Sequence, residues 1–238
     1  MTPSTLPRRI AALPWDEIEH ALEAQGYART SPLLTPQECR GVARLFGDGR
    51  RFRSRIDMAR YRFGEGEYAY FSEPLPALVA ALRKQLYPRL APIANRMMAA
   101  MGRAERYPPT LEAYRRRCHA AGQRKPTPLL LRYEAGGYNC LHRDLYGELL
   151  FPLQVTAMLS RRGADYDGGE FLLLENRPRQ QTRGEAIPAE QGELLIFPVF
   201  ERPVPGKRGI LRATMRHGVS RITSGERFAL GIIFHDAK

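Results

Sequence analysis

Two hydrophobic rhythms run along this chain, and they change over near residue 125. Up to there, apolar residues recur at intervals of three and four. Trp15, Ile18 and Leu22 make one stripe of a helix expected over residues 14–25, which Gly26 can stop. Thr35-Pro36-Gln37-Glu38 is a capping box with proline at the first helical position, so a helix is expected to run to about Phe46. The spacing predicts another helix over 75–86, an interruption or kink at Pro88, and a second helix to about Met101. Residues 111–121 make a short basic helix, with Arg115, Arg116 and Arg117 fanned around it rather than forming one flat patch. Only 52–57 and 68–71 read as strands in this part.

After a junction at 122–128 the pattern becomes short apolar runs separated by turns. Expected strands cover 129–133, 153–159, 171–174, 192–198 and 228–234, with two more carrying His142 and His217. Many short strands with turns between them read as a sandwich or jelly roll. The expectation is an α+β chain of one domain, 1–238. Residues 1–125 form a mainly helical region packed on one sheet, and residues 126–238 form the β core.

The chemistry lies in that second part. Leu141-His142-Arg143-Asp144 is followed by Arg216-His217-Gly218-Val219, and Arg227 stands ten positions after His217. Strand alternation puts His142 and Asp144 on one face, and a second strand can bring in His217. Two imidazoles and one carboxylate on one face of a metal leave the other face open, as needed for Fe(II) that binds a co-substrate and oxygen. Arg227 offers a planar fork suited to a carboxylate that is held rather than transformed. The remaining histidines read as bland. His20 falls on a helix surface and His119 in the basic helix, while His235 and Asp236 form a pair in the C-terminal tail without a third ligand.

Composition narrows the setting. Hydrophobic content of 43% fits a globular protein, and no apolar run approaches a membrane span. The N-terminus lacks the apolar core of a signal peptide. Cys39, Cys118 and Cys140 are odd in number and lack Cys-x-x-Cys spacing, so neither a disulfide framework nor a zinc ribbon is expected. A reducing cytoplasm fits, and Cys140 reads as a small buried apolar residue. The net charge of +12 favours a polyanionic partner such as nucleic acid. The 33 Arg against 4 Lys would equally follow from a GC-rich genome. No obligate protein partner is evident.

Taken together, His142-x-Asp144, Gly168-Gly169-Glu170, the 192–198 strand, His217 and Arg227 resemble the 2-oxoglutarate/Fe(II)-dependent oxygenases. Phe63-Gly64-Glu65-Gly66-Glu67-Tyr68, Arg177-Pro178-Arg179-Gln180-Gln181 and Ile233-Phe234-His235-Asp236 are similar to one bacterial branch thought to act on nucleic acid. The resemblance implies a double-stranded β-helix (jelly roll, cupin-like) core with Fe(II), 2-oxoglutarate and O2. In this reading His142, Asp144 and His217 are the catalytic metal ligands, and Arg227 holds the distal carboxylate. Arg143 stands where glutamine is expected between the two ligands. In AlkB-type demethylases, which the 129–133 segment resembles, a tyrosine at the place of Tyr133 helps hold the co-substrate. The asparagine of those enzymes is Leu131 here.

Other candidates come from the residues themselves. Gln154, Thr156 and Met158 share a strand face; a site lining or an ordinary exposed edge would each explain its polarity. Arg177, Arg179 and Arg183 lie in a loop after a core strand, with Gln180 and Gln181. Arg202, Lys207, Arg208 and Arg212 read as a second basic loop. With Phe63, Tyr68, Tyr70 and Phe71 these could grip phosphates and stack a base. The expected activity is hydroxylation of a C–H bond, including oxidative demethylation of alkylated nucleic acid. The alternatives are a prolyl-type protein hydroxylase, a small-molecule hydroxylase, and a non-catalytic metal-binding jelly-roll sensor.

Overall fold

A computed structural model describes residues 5–145 and 147–238. Five helices are α1 (Thr5–Ala11), α2 (Trp15–Gln25), α3 (Pro36–Arg44), α4 (Ala77–Ala100) and α5 (Leu111–Ala120). The first seven strands are β1 (Ala28–Arg29), β2 (Phe52–Asp57), β3 (Gly64–Glu65), β4 (Glu67–Phe71), β5 (Leu129–Glu134), β6 (Tyr138–His142) and β7 (Leu153–Met158). The rest are β8 (Tyr166–Gly168), β9 (Phe171–Asn176), β10 (Arg183–Ile187), β11 (Leu194–Pro198), β12 (Glu201–Gly206), β13 (Gly209–Val219) and β14 (Ile222–Ile232).

Local signals set several of these boundaries. Gly26 takes φ +86 and its N–H bonds the Leu22 carbonyl, which closes α2. Thr35 and Glu38 form the reciprocal capping box at the start of α3. Helix α4 departs from expectation, since it runs unbroken through Pro88 and Pro92. Each proline removes a backbone bond and costs about 3 kcal/mol. Burial of Leu82, Leu86, Leu90, Ile93 and Ala94 along the same helix offsets that cost, at about 1.5–3 kcal/mol for a large apolar side chain.

The strands form two antiparallel sheets. The larger runs β1-β11-β7-β14-β5-β4-β2, with β8 on β14; the smaller runs β10-β9-β13-β6-β3, with β12 on β13. Alternation sorts the larger sheet's side chains. Val155, Ala157, Ile196, Leu230 and Ile232 pack with the helices in one core. Met158, Leu195, Phe197 and Ala229 face the smaller sheet, against Phe171, Leu173 and Met215. This is the jelly-roll arrangement, helices on one sheet and a second sheet on its other face. Gln154 and Thr156 therefore look into the space between sheets, not out from an exposed edge.

Three expectations are corrected here. The supposed basic loop from Arg202 to Arg212 is a β12–β13 hairpin, and Arg202 is fully buried, paired with Glu175 and bonded to the Glu23 carbonyl. His235 and Asp236 are no tail. Both are 0% exposed, and Asp236 meets Arg83, Arg115 and His119. Cys140 is exposed rather than buried. No helix among the described residues is long and apolar enough to cross a membrane.

Candidate metal centre and co-substrate pocket

Strands β6 and β13 put His142 directly opposite His217. Their approach is close: a Cβ on Gly218 would meet the Asn139 carbonyl at 2.6 Å, so the position beside His217 needs glycine. β6 ends at His142, so Asp144 is delivered by the segment after the strand rather than by its pleat. It is buried, with its two oxygens 3.5 Å from His142 Nε2 and 3.4 Å from His217 Nε2. One ligand atom from each of the three residues lies within 4.8 Å of the others.

Both rings are oriented for ligation. His142 Nδ1 lies 2.8 Å from the Cys140 carbonyl, which can only accept, so Nδ1 carries the proton and Nε2 presents its lone pair. His217 is stacked on Phe171 and packed on Phe197, with ring centroids 5.8 Å and 4.8 Å away. Burial pushes its pKa down, which favours the neutral imidazole a metal requires. Burial alone would raise the Asp144 pKa. The two histidines outweigh that and hold it well below the usual carboxylate range, so the group is anionic.

These ligands open onto a cavity of about 390 Å³ that Tyr133, Gln154, Thr156 and Arg227 also line. Arg227 is 2% exposed. Its Nη2 approaches the Met158 sulfur at 3.3 Å, and its Nε is buried with no hydrogen-bond partner. Its guanidinium lies 5.6 Å from the Tyr133 ring and 5.9 Å from that of Tyr166. Among the described residues it has no ion pair. A buried cation left in this state is costly, and an anionic ligand entering the cavity would match it. Tyr133 is fully buried; burial pushes its phenol up to about 12, so it is a neutral donor. Its oxygen accepts from Asn139 Nδ2 at 3.2 Å, which leaves the phenolic proton free for a ligand. Gln154 Oε1 is likewise buried and has no hydrogen-bond partner. Two imidazoles, a carboxylate and an unmatched buried cation in one pocket fit a divalent metal together with an acidic co-substrate.

Other candidates fall elsewhere. Arg177, Arg179 and Arg183 are not in the cavity wall. Arg177 pairs with Glu175 and Arg183 with Glu185, while Arg179 sits exposed at φ +60. Phe71 and Tyr70 are buried in apolar clusters and are not surfaces for a base. Tyr68 and Phe63 do line the cavity, and Arg143 borders it. Asn139 escaped the sequence reading. It lies three residues before His142, out of phase with the alternating set, and it reaches Tyr133 beside a register shift between β13 and β6.

The profile of a family described as "Oxygenase, catalysing oxidative methylation of damaged DNA" matches residues 66–237. An uncharacterized protein of Mycobacterium tuberculosis is 49% identical over 167 residues, covering 70% of this chain and 72% of that protein. Among solved structures, a Trichoplax adhaerens prolyl hydroxylase in complex with a hypoxia inducible factor peptide superposes with TM-score 0.56 at 15% identity. The match covers 99% of this chain and 94% of that one. A 2OG-Fe(II) oxygenase family oxidoreductase from Burkholderia pseudomallei gives 0.55 at 13% identity, over 94% and 91%. At such identities the structures show a shared fold.

Proposed function

The chain belongs to this oxygenase family, and from that premise we propose that it is an Fe(II)/2-oxoglutarate-dependent dioxygenase that hydroxylates a C–H bond of nucleic acid. One observation carries the reading. A three-residue facial ligand set and a fully buried arginine with no carboxylate partner share a single cavity. His142, Asp144 and His217 would hold Fe(II), Arg227 the distal carboxylate of 2-oxoglutarate, and Tyr133 would donate to the same group. Bound there, the metal and 2-oxoglutarate supply activation of O2, with succinate and carbon dioxide as co-products.

The protein's own share is binding, orientation and exclusion of water. Phe171 and Phe197 wall the His217 side with apolar surface. Gln154 and Thr156 add hydrogen-bonding groups along the same inner face. Where the hydroxylated carbon is an N-methyl group, the hydroxymethyl product divides into formaldehyde and a free N–H. Support for a nucleic-acid substrate comes from the family's description and from the net charge of +12.

The test is a screen for succinate and formaldehyde with Fe(II) and 2-oxoglutarate across methylated oligonucleotides, peptides and metabolites. Release of both with an oligonucleotide is the expected result. Turnover of peptides alone would move the assignment to a protein hydroxylase. His142→Ala, Asp144→Ala and His217→Ala should each abolish Fe(II)-dependent 2-oxoglutarate decay; retained turnover in one would remove that residue from the ligand set.

A further inference from the structure

Three features meet at the mouth of the metal cavity, and the assigned ligands use none of them. The first is aromatic. Tyr61 and Phe63 are 56% and 46% exposed, and their rings stack on each other with centroids 5.6 Å apart and an interplanar angle of 20°. The second is charge. Arg62 and Arg143 are exposed and, among the described residues, have no ion pair, whereas Arg177, Arg183 and Arg202 each have one. The third is backbone conformation. Arg62, between these two residues in sequence, takes φ +59, a left-handed conformation that is costly for a non-glycine residue and concentrates at functional sites.

The turn is held in place. Phe63 N–H bonds the Met58 carbonyl at 3.0 Å, and Cys140 N–H bonds the Phe63 carbonyl at 2.8 Å. The second bond ties the turn to β6, two residues before His142. Arg62 and Phe63 line the cavity from this side. Arg143 lines it from the segment between the ligands His142 and Asp144, flanked by Leu141 and Leu145, which are 37% and 49% exposed. A stacked aromatic pair between unpaired guanidiniums suits a partner with alternating π-faces and phosphates.

We propose that the 61–63 turn and Arg143 form a docking surface for single-stranded nucleic acid. An unpaired base flanking the target stacks on the Tyr61–Phe63 pair, and Arg62 and Arg143 take the adjoining phosphates. This rests on the nucleic-acid reading above and adds the strand state and the residues that recognise it. Single strands are favoured for two reasons. Asp144 and His217 are buried, so a base inside a duplex cannot reach them without being extruded. Stacking on an exposed side chain also needs a base already freed from its neighbours.

The experiment is fluorescence anisotropy of a labelled oligonucleotide, single-stranded and as a duplex, with the full chain loaded with Mn(II) and 2-oxoglutarate, over about 50–200 mM salt. The single strand should bind more tightly. Tyr61→Ala and Phe63→Ala should each weaken it by roughly 5- to 150-fold with the salt slope unchanged, because stacking carries no counterion release. Phe63→Tyr should keep the affinity. Arg62→Asn, which tolerates the left-handed backbone, and Arg143→Ser should each flatten the log–log salt slope by about 0.7. Thermal midpoints at the wild-type value would establish that the variants fold. A preference for duplex overturns the proposal. Wild-type affinity in both alanine variants also overturns it, while leaving a nucleic-acid substrate in place. No oligonucleotide binding by the wild type, with turnover of a peptide or metabolite, overturns both.

Discussion

Arg83 and Arg227 are buried almost equally, at 1% and 2% exposure, on the two sides of the larger sheet. Their surroundings differ in kind. Arg83, on α4, donates to the Ile233 and Phe234 carbonyls at 2.9 Å each and to Asp236 at 2.7 Å, so it pins the end of the chain to the helical layer. Asp236 gathers Arg115 and His119 as well. Arg227, on the inner face of β14, has a methionine sulfur and two aromatic rings for company. A buried charge is tolerated when it is paired; left unmatched it costs several kcal/mol. One arginine completes the fold; the other, on the proposed function, is completed by the co-substrate.

The largest effect is expected at Arg83. Arg83→Ala leaves Asp236 buried without its closest cation and should cost about 3–5 kcal/mol of folding stability, read by denaturant unfolding. Whatever folds should bind 2-oxoglutarate normally. A loss of co-substrate affinity with intact stability would reverse the two roles.

Arg227→Ala should do the opposite. On the Mn(II)-loaded protein, 2-oxoglutarate affinity should fall by about 2–5 kcal/mol, roughly 30- to several-thousand-fold, with metal content retained. The ligand-free thermal midpoint should not fall, because the deleted charge had no partner. Arg227→Lys should be intermediate, keeping the charge but losing the planar fork. Normal binding by Arg227→Ala would overturn its assignment to the co-substrate carboxylate.

A smaller effect should appear with pH on the Arg83 side. Burial, and Arg83 nearby, push His235 down to about 4. A histidine held neutral in the native state stabilises it fully above the unfolded value of about 6.5, and loses that contribution as pH falls towards about 4. Stability should decline over that window, and His235→Asn should flatten the decline. An unchanged profile would place the acid sensitivity in other groups. The smallest effect is expected at Arg179, exposed on the β9–β10 turn, where Arg179→Ser should stay within about 0.5 kcal/mol of wild-type stability.

How much of this could be read from the chain depended on the kind of signal. The capping box at Thr35 and Glu38 and the strand Phe52–Asp57 rest on neighbours in sequence, and the structure places them where the pattern did. The β12–β13 hairpin was hidden because Pro203, Pro205, Lys207 and Arg208 read as loop. β12 pairs only with β13, and an edge strand tolerates proline. The break expected at Pro88 failed because the packing of α4 outweighed local propensity.

The ligand set His142, Asp144 and His217 was legible in the sequence because ligand type is written locally, although Asp144 comes from the segment after β6 and not from its pleat. Tertiary structure decided which charges were available. Arg202 became an internal clamp and Arg177 its neighbour's partner, while Arg62 and Arg143 were left open at the cavity mouth. Asn139 met Tyr133 across strands. A sequence records that a side chain is charged or polar. Whether that charge is neutralised depends on partners brought from far along the chain, and only the packed sheets bring them.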